Sequence, residues 1–98
     1  MMRAENAASV VDGNALAGLL ADVFAGDVTQ YVGLCGGCGS SAPLAEAVVE
    51  LDDVGAIVRC RYCRHTLATV LRSPEGVRFV VAALQAFTAP VGVSRAGA

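Results

Sequence analysis

Cys35-Gly36-Gly37-Cys38-Gly39 and Cys60-Arg61-Tyr62-Cys63-Arg64 hold all four cysteines of this 98-residue chain. Each stretch is a CxxC pair, and 21 residues separate the two pairs. A CxxC turn brings two sulfurs close enough to chelate one ion, and two such turns complete a tetrahedron. The spacing is slightly above the roughly 15–20 residues of the common C-x2-C…C-x2-C pattern, and one longer hairpin absorbs the difference. The pattern predicts a single structural zinc ion held by Cys35, Cys38, Cys60 and Cys63. Four thiolates leave no coordination position for water, so the site is expected to be structural and not catalytic.

The two turns differ in their neighbours. Gly36, Gly37 and Gly39 let the first turn curl so that amide N–H groups point at sulfur. Arg64 stands where the first turn has Gly39. The expectation is a different backbone conformation there, or a guanidinium that offsets thiolate charge. His65, the only histidine, is expected to be a hydrogen-bonded or solvated neighbour, with ligation as the alternative. A rubredoxin-type iron site uses the same ligands but calls for an aromatic surround, and this chain has only Phe24, Tyr31, Tyr62, Phe79 and Phe87. A dithiol redox pair at Cys35 and Cys38 normally opens a helix after a strand, in an alternation that is not seen here. Four unrelated core cysteines do not explain the paired spacing.

Length and composition fit this reading. One domain of this size buries a modest core and gains from a staple. No run approaches the ~20 apolar residues of a membrane span, and the N-terminus lacks a continuous apolar stretch of signal-peptide type. A cytoplasmic protein is expected, with reduced thiols that favour metal ligation over disulfides. The net charge of −2 conceals an asymmetry. Residues 1–58 carry one arginine against eight carboxylates, residues 59–98 six arginines against one glutamate, and there is no lysine.

The fold expected from these signals is a small α+β one, an N-terminal helix followed by an antiparallel zinc-ribbon-like β domain. Residues 1–9 are expected to be disordered, 10–88 to form the domain and 89–98 to be a flexible tail. Leu16, Leu19, Leu20, Val23 and Phe24 make one apolar stripe, which predicts a helix over 12–26 capped by Asp12 or Asn14 and ended by Gly26. That helix covers the ribbon or docks on another chain. Strands are expected over Thr29–Leu34, Ala42–Leu51, Ala56–Arg59, Thr66–Arg72 and Val77–Phe87, the last bent near Ala83. Asp52-Asp53-Val54-Gly55 and Ser73-Pro74-Glu75-Gly76 read as turns.

Asp12 to Gly18 in the leading helix, Asp27 and Thr29, the first cysteine pair with Gly39, and Val58-Arg59-Cys60 together resemble a family of short bacterial proteins of unknown function. They are found mainly in high-GC Gram-positive bacteria. The resemblance covers about residues 11–88. It implies a helix followed by a zinc-ribbon-like domain with the four cysteines as ligands, and no known activity. His65 and the Ala-rich last strand depart from the pattern.

No nucleophile, base and orienter set accompanies the cysteines, and no P-loop lysine follows the glycines. The expectation is a non-enzymatic protein-interaction module, with no small-molecule substrate and no membrane. The alternative is nucleic-acid binding in transcription or translation through the second turn, where Arg59, Arg61, Tyr62, Arg64, His65 and Arg72 are candidate contacts. Against it stands pairing of these arginines with Glu50, Asp52 or Asp53. A thiol-redox or metal-handling role is the third alternative.

Overall fold

A computed structural model describes residues 9–21 and 23–90. Eight strands form two antiparallel sheets. The strands are β1 (Ser9–Asp12), β2 (Val32–Cys35), β3 (Ser41–Pro43), β4 (Val48–Asp52), β5 (Gly55–Arg59), β6 (Thr66–Ser73), β7 (Gly76–Val81) and β8 (Leu84–Thr88). The larger sheet runs β1-β4-β5-β6-β7 and the smaller β3-β2-β8.

This corrects the helix-then-ribbon expectation. The helix expected over 12–26 is a 3-10 turn, Gly13–Ala15, running into one α-helical turn, α1 (Leu16–Leu19). Asp12 caps the 3-10 turn through its carboxylate and the Asn14 N–H at 3.0 Å. The same residue ends β1, which pairs with β4, so the chain enters the sheet before it can begin a helix. The apolar stripe is real, but only Leu16 and Leu20 are fully buried. Gly18, which lowers helix propensity, is followed by turns whose N–H groups bond three or four residues back. Gly13 is required by packing, because a β-carbon there would fall 1.6 Å from the carbonyl oxygen of Leu44.

Two expected strands divide between the sheets. Of Ala42–Leu51, only β3 returns beside β2. A 3-10 turn, Leu44–Glu46, then carries the chain into the larger sheet as β4. The last strand breaks at Ala82-Ala83 into β7 and β8, which belong to different sheets. The bend expected near Ala83 is therefore a crossing between sheets. The expectations for the termini fall mostly on residues 1–8 and 91–98, outside the described residues; Ser9 opens β1, and Ala89 and Pro90 have no regular structure.

Strand alternation places one row of each sheet inside. Val49, Val58 and Ala68 lie in register across the larger sheet, as do Ala56 and Val70. All five are buried, and Val49, Val58, Ala56 and Val70 share a core with Leu16, Leu20, Val28, Leu44 and Leu84. Four of the five aromatic residues form a second cluster. Phe24 meets Tyr31, Phe79 and Phe87 at 5.7, 5.3 and 5.4 Å between ring centroids. Phe79 comes from β7 and Phe87 from β8, so this cluster ties the two sheets together. The Tyr31 hydroxyl donates to the Ala25 carbonyl at 2.8 Å, which satisfies its polar end.

Candidate metal centre

Each cysteine pair sits in a tight turn between adjacent strands, the first between β2 and β3, the second between β5 and β6. The two knuckles repeat one hydrogen-bond pattern. Gly37 N–H and Tyr62 N–H point at the sulfurs of Cys35 and Cys60, at 3.3 and 3.4 Å. Gly39 N–H and Arg64 N–H donate to the carbonyls of Cys35 and Cys60, at 2.8 and 2.9 Å. Cys35 N–H and Cys60 N–H donate to the carbonyls of Ser40 and His65, both at 2.9 Å. Amides aimed at sulfur stabilise its anionic form, the form that binds a metal.

The equivalence extends to the backbone of the fifth residue. Gly39 has φ +80°, and Arg64, its counterpart, has φ +69°. The expectation of a different conformation at Arg64 is corrected: the second knuckle takes the same shape in spite of the side chain. Among the described residues Arg64 alone is a non-glycine with positive φ. The left-handed region costs an L-residue roughly 1–2 kcal/mol, and the surrounding hydrogen bonds hold Arg64 there.

The knuckles meet sulfur to sulfur. Cys35 Sγ lies 3.5 Å from Cys63 Sγ, and Cys38 Sγ lies 3.7 Å from Cys60 Sγ. All four sulfurs fall within 4.8 Å of one another. These are not disulfides, whose sulfurs stand about 2.05 Å apart. A tetrahedral ion with metal–sulfur bonds of about 2.3 Å puts its ligand sulfurs about 3.8 Å apart, close to the two separations found. The four cysteines therefore cluster at metal-binding distance. Cys35 and Cys60 are buried, Cys63 is half-buried and Cys38 is exposed.

The second residue after each pair lies against the second sulfur. Ser40 Oγ is 3.3 Å from Cys38 Sγ, and His65 Nδ1 is 3.1 Å from Cys63 Sγ. His65 is thus a hydrogen-bonded neighbour and lies outside the four-sulfur cluster. Its ring rests on Gly37 of the opposite knuckle. Ser40 escaped the sequence reading, although superposing the two knuckles by sequence pairs it with His65. Without a metal the four thiols cannot ionise alike. The hydroxyl and then the backbone amide of Ser40 pull the Cys38 thiol down from 9.0 to about 6. The His65 backbone amide lowers Cys63, but burial and the three neighbouring sulfurs outweigh it and push that thiol up to about 12. Groups of like charge sharing one site separate in this way.

Ala83 holds the knuckles together from the side. Its N–H donates to the Thr66 carbonyl, just past the second knuckle, at 3.0 Å. Its carbonyl accepts from Gly36 N–H, in the first knuckle, at 2.8 Å. The sheet crossing and the cysteine cluster are one construction.

The arginines expected as a cluster are dispersed. Arg59 is a clip: its Nε donates to Glu50 at 2.9 Å, and its Nη1 reaches Thr66 Oγ1 at 3.2 Å and the Arg64 carbonyl at 3.5 Å. Arg72 lies six residues beyond Thr66 on β6, about 20 Å along an extended strand, and donates to the Asp53 carbonyl at 3.2 Å. Arg61 stays at the knuckle, 3.8 Å from Glu46 and with its guanidinium carbon 5.8 Å from the centre of the Tyr62 ring. Tyr62 is 59% exposed. Arg64 has no carboxylate partner among the described residues.

Fold and site define a small, mostly antiparallel β protein whose two knuckles bring four cysteines to metal-binding distance. The chain belongs to a family of unknown function, DUF6510, whose model matches residues 4–92. Searches of curated proteins and of solved structures find no match to the chain. Among the described residues no helix is long and apolar enough to cross a membrane.

Proposed function

We propose that the protein is a non-enzymatic interaction module whose two sheets are stapled by one structural zinc ion on Cys35, Cys38, Cys60 and Cys63. The observation that carries this reading is the convergence of four sulfurs at tetrahedral spacing, each knuckle offering an amide N–H to its first sulfur. Four thiolates fill a tetrahedral ion's coordination shell, so the ion supplies folding free energy and no open position for chemistry. Zinc fits the all-sulfur donor set, and four of the five aromatic residues cluster around Phe79 of β7 and Phe87 of β8, while Tyr62 in the second knuckle is exposed, so they do not form the surround that an iron site calls for. Function then rests on the exposed surface, most simply on the second knuckle, where Arg61, Tyr62 and Arg64 are exposed together. The test is metal content after purification without added zinc, together with affinity capture of partners from the native host by the zinc-loaded chain. Capture that enriches no specific protein over a Cys60→Ser control contradicts the interaction reading.

A second reading, nucleic-acid binding by the same knuckle, is favoured by the exposed Tyr62 ring beside Arg61, since a base can stack on its face. Absence of binding to mixed oligonucleotides even at low salt, where phosphate contacts are strongest, refutes it.

A further inference from the structure

A shallow groove runs between β1 and the second knuckle, bordered by Val10, Asp12, Glu46, Val48, Arg61 and Arg64. Three features give it a direction. First, β1 is an edge strand of the larger sheet. The two-residue turn between Asp52 and Gly55 fixes the ladder alternation, so Val49 and Leu51 face β1 and pair with Val11 and Ser9. Val10 therefore presents its N–H and C=O to the open side and Asp12 its N–H, the Asp12 carbonyl being the N-cap acceptor of the 3-10 turn, and the Val10 side chain is 68% exposed. Second, the charges already in the groove are unequally matched. Asp12 is engaged in capping Asn14, and Glu46 makes a loose pair with Arg61 at 3.8 Å. Arg64 is left with no carboxylate among the described residues. Third, Arg64 occupies a left-handed position that glycine fills in the other knuckle. An unfavourable backbone held for an exposed side chain with no carboxylate partner among the described residues points to a use outside them.

We infer that this groove takes an extended acidic peptide, added as a strand to β1, with a carboxylate on Arg64 and the neighbouring Arg61. This rests on the reading of the protein as an interaction module and names the chemistry of its partner. Strand addition supplies backbone hydrogen bonds at Val10 and Asp12, and the charge pair supplies specificity. The valine and alanine walls suit apolar side chains on either side of the acid. A nucleic acid fits less well, because the open strand edge offers main-chain hydrogen bonds that a peptide backbone matches and a sugar-phosphate backbone does not.

The test is selection from a random linear heptapeptide display library on the zinc-loaded full chain. Enrichment of peptides with Asp or Glu among apolar residues is the expected result. The best enriched peptide should bind Arg64→Gly about tenfold or more weakly, the loss of one charge-assisted contact, while that variant keeps its zinc and fold. Val10→Pro should weaken the same peptide, since it removes an N–H that the ladder does not use. Selection without acidic enrichment, equal binding to Arg64→Gly, or displacement of the peptide by a single-stranded oligonucleotide at lower concentration would overturn the inference. A chain that carries one zinc, unfolds on Cys60→Ser and yet selects no acidic peptide loses this inference and keeps its structural metal. A chain without zinc loses the earlier reading first.

Discussion

Replacing Arg64 by glycine should stabilise the protein. At φ +69° the arginine β-carbon sits in the region where L-residues pay roughly 1–2 kcal/mol. Glycine removes that cost, but its unfolded chain has more freedom to lose, worth about 0.4–1 kcal/mol. The difference leaves a net gain of about 0.5–1 kcal/mol. The side chain itself offers little to set against it, since it makes no ion pair among the described residues. The backbone N–H and C=O of residue 64, which bond Cys60 and Arg59, are kept by the substitution. Gly39→Ala is the mirror experiment. A β-carbon at Gly39 meets nothing within 4 Å, so the whole effect is conformational, a loss of about 1 kcal/mol. Urea unfolding of both variants at one buffered free-zinc concentration reads these numbers; holding free zinc fixed is necessary because bound metal shifts apparent stability. For a domain of this size a gain of 0.5–1 kcal/mol corresponds to roughly 2–8 °C in Tm. An Arg64→Gly variant destabilised by more than about 0.5 kcal/mol would refute the reasoning. It would mean that the guanidinium holds the thiolates together, a larger effect than the strain it imposes.

Other outcomes follow from the same geometry. Cys60→Ser or Cys35→Ser should leave a chain without native near-ultraviolet dichroism, because structural zinc contributes about 10–16 kcal/mol in small domains, comparable to or above a whole domain's stability; a variant with the wild-type melting curve contradicts this. Once folding brings the four sulfurs together, Cys38, lowered to about 6, is ionised at pH 7.5, whereas Cys63, raised to about 12, keeps its proton until the ion displaces it. Zinc titration calorimetry in buffers of different ionisation enthalpy should therefore show proton release, and affinity should fall more steeply below pH 6, where the Cys38 proton joins the competition. Heats that do not depend on the buffer would exclude that ordering. Arg59→Ala should cost about 0.5–1.5 kcal/mol, since the Glu50 pair is a third exposed and screened but the contacts to Thr66 and the Arg64 carbonyl go with it. Leu16→Ala, at a fully buried position in the short helical turn, should cost about 2–5 kcal/mol by chemical denaturation.

The cysteine cluster was legible because a CxxC turn is a local object. Its two sulfurs are close whatever the rest of the chain does, and only the meeting of the two knuckles needed a fold. Both turns, Asp52–Gly55 and Ser73–Gly76, and the strands around them were legible for the same reason. The helix was over-read. Leu16, Leu19, Leu20, Val23 and Phe24 keep a helical period, but a loose chain of turns can bury Leu16 and Leu20 just as well. Sheet membership was illegible. Nothing local distinguishes Ser41–Pro43 in one sheet from Val48–Asp52 in the other, and the switch depends on the long-range approach of Gly13 to Leu44. The arginine cluster of the sequence dissolved for a similar reason: alternation along β5 and β6 sends Arg59 to Glu50 and Arg72 to the far hairpin. The left-handed backbone of Arg64 could have been anticipated by taking the symmetry of the knuckles more seriously than the residue type.

The central claim is that one zinc ion on four thiolates holds the two sheets together. Native mass spectrometry of the chain purified without added metal tests it most directly. The account predicts a single folded species heavier than the bare chain by one zinc ion less the protons it displaces, which turns into a broad, highly charged unfolded distribution when a chelator removes the metal. A metal-free chain that keeps the compact distribution, or a folded species carrying iron instead, would contradict it.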